Sequence, residues 1–136
     1  MTAERGLIDT NVVIRLAHLD PDSLPAVSAI STITLAELSV GPLLATDHRE
    51  RALRQLHVQQ AESDFEPLPF DAAVARVHSG VAADLHRAGR KRAARAFDSL
   101  IAATAISHNI PLYTANPDDF AGIDGLDVRT VREASI

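Results

Sequence analysis

The stretch RGLIDTNVVIRLA, residues 5–17, decides how the chain is read. Leu7, Ile8, Val12, Val13, Ile14 and Leu16 are the side chains of a buried element, and Asp9 stands in their middle. A carboxylate taken out of water without a partner costs several kcal/mol or more, so its place among them needs a reason. GLID reads as a short buried strand that ends at Asp9, and TNVVIRLA takes up a helical rhythm directly after it. The acid therefore marks the point where a strand hands over to a helix.

The rest of the chain repeats that alternation. AVSAIS (26–31) reads as a second strand after the loop HLDPDSLP (18–25), which Pro21 and Pro25 break. TLAELSVG (34–41) reads as a helix with Thr34 at its start and Gly41 near its end. HRERALRQLHVQQAES (48–63) reads as an exposed amphipathic helix, and FEPLPF (65–70) as extended, because two prolines forbid helix there. DAAVARVHSGVAADLHRAG (71–89) predicts a long helix with Asp71 as N-cap, Gly89 just past its end, and Val74, Val77, Val81 and Leu85 on one face. FDSLIAATAISHN (97–109) is an almost wholly apolar helix. PLYTA (111–115) is a strand, NPDDFAGID (116–124) a turn, and LDVRTV (126–131) a last short strand. Short apolar strands alternating with helices predict a parallel sheet covered on both faces. In such sheets, ligands gather beyond the carboxyl ends of the strands, which is where Asp9 lies.

Composition narrows the function. Residues 1–136 are expected to form one domain around one core. There are no cysteines, so a disulfide framework, a thiolate metal site and a cysteine nucleophile are excluded. No apolar run reaches the roughly 18 residues needed to cross a membrane, and MTAERG is not a signal peptide; a cytoplasmic protein without a membrane partner is expected. The net charge of −5 argues against holding nucleic acid by bulk electrostatics. Yet HRAGRKRAAR (86–95) carries Arg87, Arg90, Lys91, Arg92 and Arg95, five of the thirteen Lys and Arg residues.

Asp9 has company. Asp98 interrupts RAFDSLIAATA, Glu37 lies within TITLAEL, and Asp118 and Asp119 follow a strand. Each has a structural explanation. Asp9 and Asp98 could cap helices, Thr34 and Glu37 match a capping box, and Asn116, Asp118 and Asp119 are ordinary turn residues. Together they read differently, since a parallel sheet can bring such positions to one rim. Two unit charges ~4 Å apart repel by about 4 kcal/mol at an effective dielectric of 20, which a bound cation would offset. All-oxygen donors select Mg²⁺ or Mn²⁺ over Zn²⁺. The six histidines form no H-x-H or H-E-x-x-H pair, so zinc is not expected. Ser99 follows Asp98 but has no evident His partner to make it a nucleophile.

At this point the sequence resembles a known family. LIDTNVVI, ITLAELSVG and AFDSLIAATAISHNIPLYTANPDDF, in that order, resemble the signature blocks of PIN-domain proteins, and more closely those of VapC toxins. The resemblance runs from about Gly6 to Val131. It implies a three-layer α/β/α sandwich on a parallel sheet of about five strands. It implies a Mg²⁺- or Mn²⁺-dependent endoribonuclease that cleaves structured RNA such as tRNA or rRNA. The family's acids fall on Asp9, Glu37 and Asp98, and its T-x-N-x-x-D turn on Thr114, Asn116 and Asp119, with Asp118 a neighbour that could share the fourth site. These acids would hold the metal, with Thr10, Asn11, Thr114 and Asn116 as supporting hydrogen bonders. The resemblance also implies a homodimer, and a heterotetramer or larger assembly with a cognate VapB-type antitoxin. That antitoxin would lie in a groove that the helix from His48 and the segment TLAELSVGPLLA could line. Relatives often carry a shorter GRPI-like segment before the third acid; the longer GRKRAARA here is expected to hold RNA phosphates. The rival within enzymes, a phosphoryl-accepting domain of the response-regulator type, would want a Lys after a late strand, and the chain's one Lys is Lys91. The rival from another class is a non-catalytic PIN-like module that binds RNA or protein, which would be expected to have lost one or more of these acids.

Overall fold

A computed structural model describes residues 4–89 and 96–135. Five parallel strands form one sheet: β1 (Arg5–Ile8), β2 (Val27–Ser31), β3 (Glu66–Leu68), β4 (Leu112–Thr114) and β5 (Val128–Thr130), in the order β3-β2-β1-β4-β5. Among the described residues, five α-helices connect them: α1 (Thr10–Ile14), α2 (Thr32–Leu44), α3 (His48–Asp64), α4 (Ala72–Arg87) and α5 (Ala96–Ser107).

Alternation along the strands divides the core into two layers. Leu7, Ala29, Leu68 and Leu112 face α4 and α5 and pack against Val74, Val81, Leu85 and Ile101. Ile8, Ile30 and Tyr113 face the other way, onto Val12, Val13, Leu38 and Val58 of α1, α2 and α3. This is the expected three-layer sandwich. The central strands are buried on both faces, which is why they read as unbroken apolar runs.

The chain winds from β1 outward to β2 and β3, then returns past β1 to β4 and β5. The strand order reverses between β1 and β4, and the crevice at such a switch point is where open α/β sheets bind ligands. Leu7 pairs with Leu112 and Ile8 with Tyr113, so Asp9 and Thr114 come side by side at the carboxyl ends of these strands.

Two helix starts differ from expectation. α2 begins at Thr32, not Thr34, with the Ser31 hydroxyl accepting from Ile33 N–H at 3.0 Å. Ser31 ends β2 and caps α2 at once, so strand passes to helix with no loop between. Gly41 lies in the last turn of α2, near its end as expected, and the helix runs on through Pro42 to Leu44. Carbonyls of its last turns are taken by α3 arginines, Arg54 donating to Gly41 O at 2.9 Å and Arg51 to Pro42 O at 3.3 Å. Asp98 lies inside the first turn of α5 rather than ahead of it, because the helix has already begun at Ala96. The long helix α4 is as expected: the Asp71 carboxylate accepts from Val74 N–H at 3.1 Å, and Gly89 takes a positive φ of 76° just beyond its end.

After β5 the chain runs antiparallel across the loop that follows α1. Asp20 N–H donates to Arg132 O at 2.8 Å, Ala134 N–H to His18 O at 2.9 Å, and Arg132 pairs with Asp20 at 2.9 Å. No helix among the described residues is long and apolar enough to cross a membrane.

Candidate active site

Asp9 is 6% exposed, and both of its carboxylate oxygens are held. Oδ1 accepts from Val12 N–H at 3.0 Å, which caps α1. Oδ2 accepts from the Thr114 hydroxyl at 2.6 Å, across the β1–β4 crevice. Thr114 Oγ1 in turn accepts from Asn116 N–H at 3.0 Å, tying the turn after β4 to the same acid. Asp9 thus caps α1 and, with the same carboxylate, ties β1 to β4. Its hydrogen bonds offset part of the cost of burying the carboxylate, but they do not cancel it. Burial pushes the Asp9 carboxyl above its ordinary range, the contacts to Thr114 and Val12 pull it back in part, and the nearby Asp119 carboxylate pushes it up again.

Glu37 does not fold back to complete a capping box. It reaches across to α1, where the Thr10 hydroxyl donates to its Oε1 at 2.6 Å. A second contact, 3.0 Å between the hydroxyls of Thr10 and the fully buried Thr34, fastens this pair to the body of α2. Burial raises the Glu37 carboxyl as well, and the Asp9 charge adds to it. Asp9 therefore stands within electrostatic reach of Glu37 on one side and Asp119 on the other.

Asp119 and Asp118 lie in the short 3-10 turn Pro117–Phe120, which follows Asn116. Helix α5 packs against this turn and against α2. Because α5 leads back into β4, its first turn, with Asp98, stands at the carboxyl edge of the sheet. Asn11 is exposed beside Thr10. Arg87 closes α4 in an ion pair with Asp84. Arg90, Lys91, Arg92 and Arg95 lie outside the described residues.

The donor set fits a hard divalent cation in kind, since every side chain in question offers carboxylate oxygen, and Asp9, buried, and Glu37, half-buried, are held against their own repulsion. Among the described residues, no three His, Asp or Glu side chains close around a single ion position. The fit therefore rests on the chemistry of the donors and on the charge held at the crevice.

Beside the crevice, Thr10, Asn11, Ile14, Glu37, Leu53 and His57 line an open groove of about 460 Å³. Two of its apolar lining residues are exposed, Leu53 at 55% and Ile14 at 42%. α2 and α3, the segments expected to line a groove, form its walls.

Two residues at this edge have roles that sequence reading missed. Thr34 supports Thr10 and Glu37 rather than capping a helix. His78 lies on α4 with Nε2 3.1 Å from Ser99 Oγ, so Ser99 does have a histidine partner. The signal was present: His78 falls four residues after Val74 and three before Val81, on the apolar face of α4, so its ring points inward.

A PIN-domain profile matches residues 6–126. The chain belongs to the PIN-domain family. The matched span of this PIN domain contains Asp9, Glu37, Asp98 and Asp119. Ribonuclease VapC4 of Mycobacterium tuberculosis is 35% identical over 96% of this chain and the whole of its own length. Ribonuclease VapC5 of the same organism is 38% identical over 91% of each chain. Within the PIN domains, this chain thus belongs with the VapC ribonucleases. Among solved structures, VapBC-5 from M. tuberculosis, a member of the VapBC family of toxin–antitoxin systems, superposes with a TM-score of 0.80 at 38% identity. The match covers 94% of this chain and 98% of that one.

Proposed function

We propose that this PIN domain is the ribonuclease toxin of a VapBC-type pair, an endoribonuclease that works with Mg²⁺ or Mn²⁺ and is neutralised by a VapB-type antitoxin. The observation that carries the reading is Asp9, buried at the β1–β4 switch point, pinned by Thr114 and repelled by both Glu37 and Asp119. A fold that buries one carboxylate at a ligand-binding crevice beside two like charges has a use for a cation there. Relatives that are ribonucleases over nearly the same length support the activity.

Asp9, Glu37, Asp98 and Asp119 would hold the metal, with Asp118 an alternative to Asp119 in the fourth position. When bound, the cation supplies Lewis-acid stabilisation of charge at the scissile phosphate and activates the attacking water. Thr114 fixes the rotamer of Asp9 by its 2.6 Å hydrogen bond, and Asn116 N–H fixes Thr114. Thr10 holds Glu37 toward the crevice in the same way. Asn11, exposed at the rim beside Thr10, would serve as a supporting hydrogen bonder. The basic run from Arg87 through Arg90, Lys91 and Arg92 to Arg95 holds RNA phosphates, so that structured RNA is anchored by one segment and cut beside another. The antitoxin lies in the apolar groove between α1, α2 and α3, and the assembly is built on a toxin homodimer.

Calorimetric titration of the purified protein with Mn²⁺ tests this. The wild type should bind Mn²⁺, and Asp98→Asn, which keeps size and shape but removes a charge, should bind at least ten-fold more weakly. Equal affinity in the two proteins would remove Asp98 from the site.

A further inference from the structure

Ser99 sits beside Asp98 and is 6% exposed. A hydroxyl carries one hydrogen. The Ser99 hydroxyl donates it to Ala96 O, one turn back at the very start of α5, at 2.8 Å. The 3.1 Å contact with His78 Nε2 is then one in which the imidazole N–H donates and Ser99 Oγ accepts. That polarity is the reverse of a serine nucleophile and its base, because the histidine gives a proton where a base would take one. Together the two bonds clamp the turn that carries Asp98.

His78 is itself held from the far side. The Phe70 ring meets it edge-on at 6.2 Å with an interplanar angle of 70°. Phe70 N–H donates to Thr32 Oγ1 at 3.2 Å, at the first residue of α2. A continuous chain of contacts thus runs from the start of α2, which bears Glu37, through Phe70 and His78 to Ser99 at the start of α5. Neither metal binding nor RNA cleavage, as proposed for this site, calls on that chain.

We propose that His78 is a positioning residue: through Ser99 it fixes the first turn of α5 and so sets where the Asp98 carboxylate stands relative to Asp9 and Glu37. This rests on the assignment of Asp98 to the metal site. It requires an N–H donor at Nε2 and no positive charge, so a neutral side chain that places an N–H at the same reach should serve. Gln fulfils that condition and Phe, of similar bulk, does not.

The test is Mn²⁺ binding by calorimetry on the full chain, with circular dichroism to confirm folding, for the wild type, Asp98→Asn, His78→Phe, His78→Gln, Ser99→Ala and the double variant His78→Phe/Ser99→Ala. Removing a group that orients a metal ligand typically weakens binding 10–100-fold. His78→Phe and Ser99→Ala should each do so. The double variant should lose no more than the larger single loss, since both break one link, and His78→Gln should stay within about three-fold of the wild type. Wild-type affinity in His78→Phe or Ser99→Ala overturns the proposal, as do additive losses in the double variant or a Gln variant as weak as Phe. If His78→Phe does not fold, Ser99→Ala and His78→Gln decide by the same thresholds. A wild type that binds no Mn²⁺, or an Asp98→Asn variant that binds normally, overturns the assignment of Asp98 first and this inference with it. Loss confined to Asp98→Asn overturns only the role of His78.

Discussion

Glu37 shows how a single side chain can be costly to the fold and still be kept there. Its carboxyl is raised, first by burial and then by the Asp9 charge, against one good hydrogen bond from Thr10. The sign of its effect on stability follows. A raised acid holds its proton longer in the folded state than in the unfolded one, so the unfolded chain ionises first as pH climbs. Stability therefore falls from the ordinary carboxylate range up through the raised value, and stays low above it. Glu37→Gln keeps an acceptor for Thr10 and has no proton to lose. Metal-free Glu37→Gln should melt at a higher temperature than wild type at pH 7–8, with the difference vanishing near pH 4 and shrinking when Mn²⁺ is added to the wild type. Thermal melts across pH check this, and a variant less stable than wild type at neutral pH would contradict it. The sequence made Glu37 and Thr34 look like a local capping box because the spacing is right for one. What it could not display is Thr10, 27 residues away, which competes for the same carboxylate and wins at 2.6 Å.

Among elements, β1 and β4 meet at the crevice beside Asp9, and a glycine on β1 leaves room for the Tyr113 ring of β4. A Cβ on Gly6 would run into the Tyr113 ring and come within 2.9 Å of Pro25 Cβ. Tyr113 O also accepts Asp9 N–H at 3.2 Å, so what displaces Tyr113 pulls on the acid. Gly6→Ala should cost about 1–3 kcal/mol, the usual range for overpacking a well-filled core, and should weaken Mn²⁺ binding as well. A chemical denaturation series with metal titration would show both; an unchanged midpoint would mean that the ring moves aside freely. Most elements were legible because their patterns are strong. Val74, Val77, Val81 and Leu85 repeat at helical spacing between Asp71 and Gly89, and the central strands are short apolar runs. The start of α2 was not legible, because Ser31, Thr32 and Thr34 can all cap and only the end of β2 selects Ser31. The His78–Ser99 link was out of reach for a related reason: its partners lie on consecutive helices, and periodicity gives each helix's inward face without saying which residues meet.

At the scale of the whole molecule, an acidic protein has to hold a polyanion. The net charge is −5, and the crevice concentrates part of it. The basic segment 86–95 answers this if it grips phosphates while the acids, neutralised by metal, do the cutting. Charge reversal of Arg90, Lys91 and Arg92 together should then weaken RNA binding and flatten its dependence on salt, by about 0.7–0.9 in log–log slope for each phosphate no longer held. Filter binding over a range of salt, without divalent metal so that no cleavage is expected, reads this out, and an unchanged slope would remove the segment from the RNA site. The fold class and the family were open to reading at this scale, since the blocks around Asp9, Glu37 and Asp98 come in order along almost the entire chain. The pairing of Asp9 with Thr114 and of Thr10 with Glu37 was not, because it depends on the strand order β3-β2-β1-β4-β5 and on how α1 meets α2, which no spacing encodes.

Whether the carboxylates at the β1–β4 crevice cut RNA with a divalent cation can be asked of the protein outright. Total bacterial RNA is incubated with the purified protein in Mg²⁺ or Mn²⁺, against EDTA and against Asp98→Asn, and the ends of the products are mapped. Cuts should fall at defined positions, need the metal and vanish in the variant. Intact RNA with the folded, antitoxin-free wild type, or the same cuts from both proteins, would contradict a metal-dependent ribonuclease built on these acids.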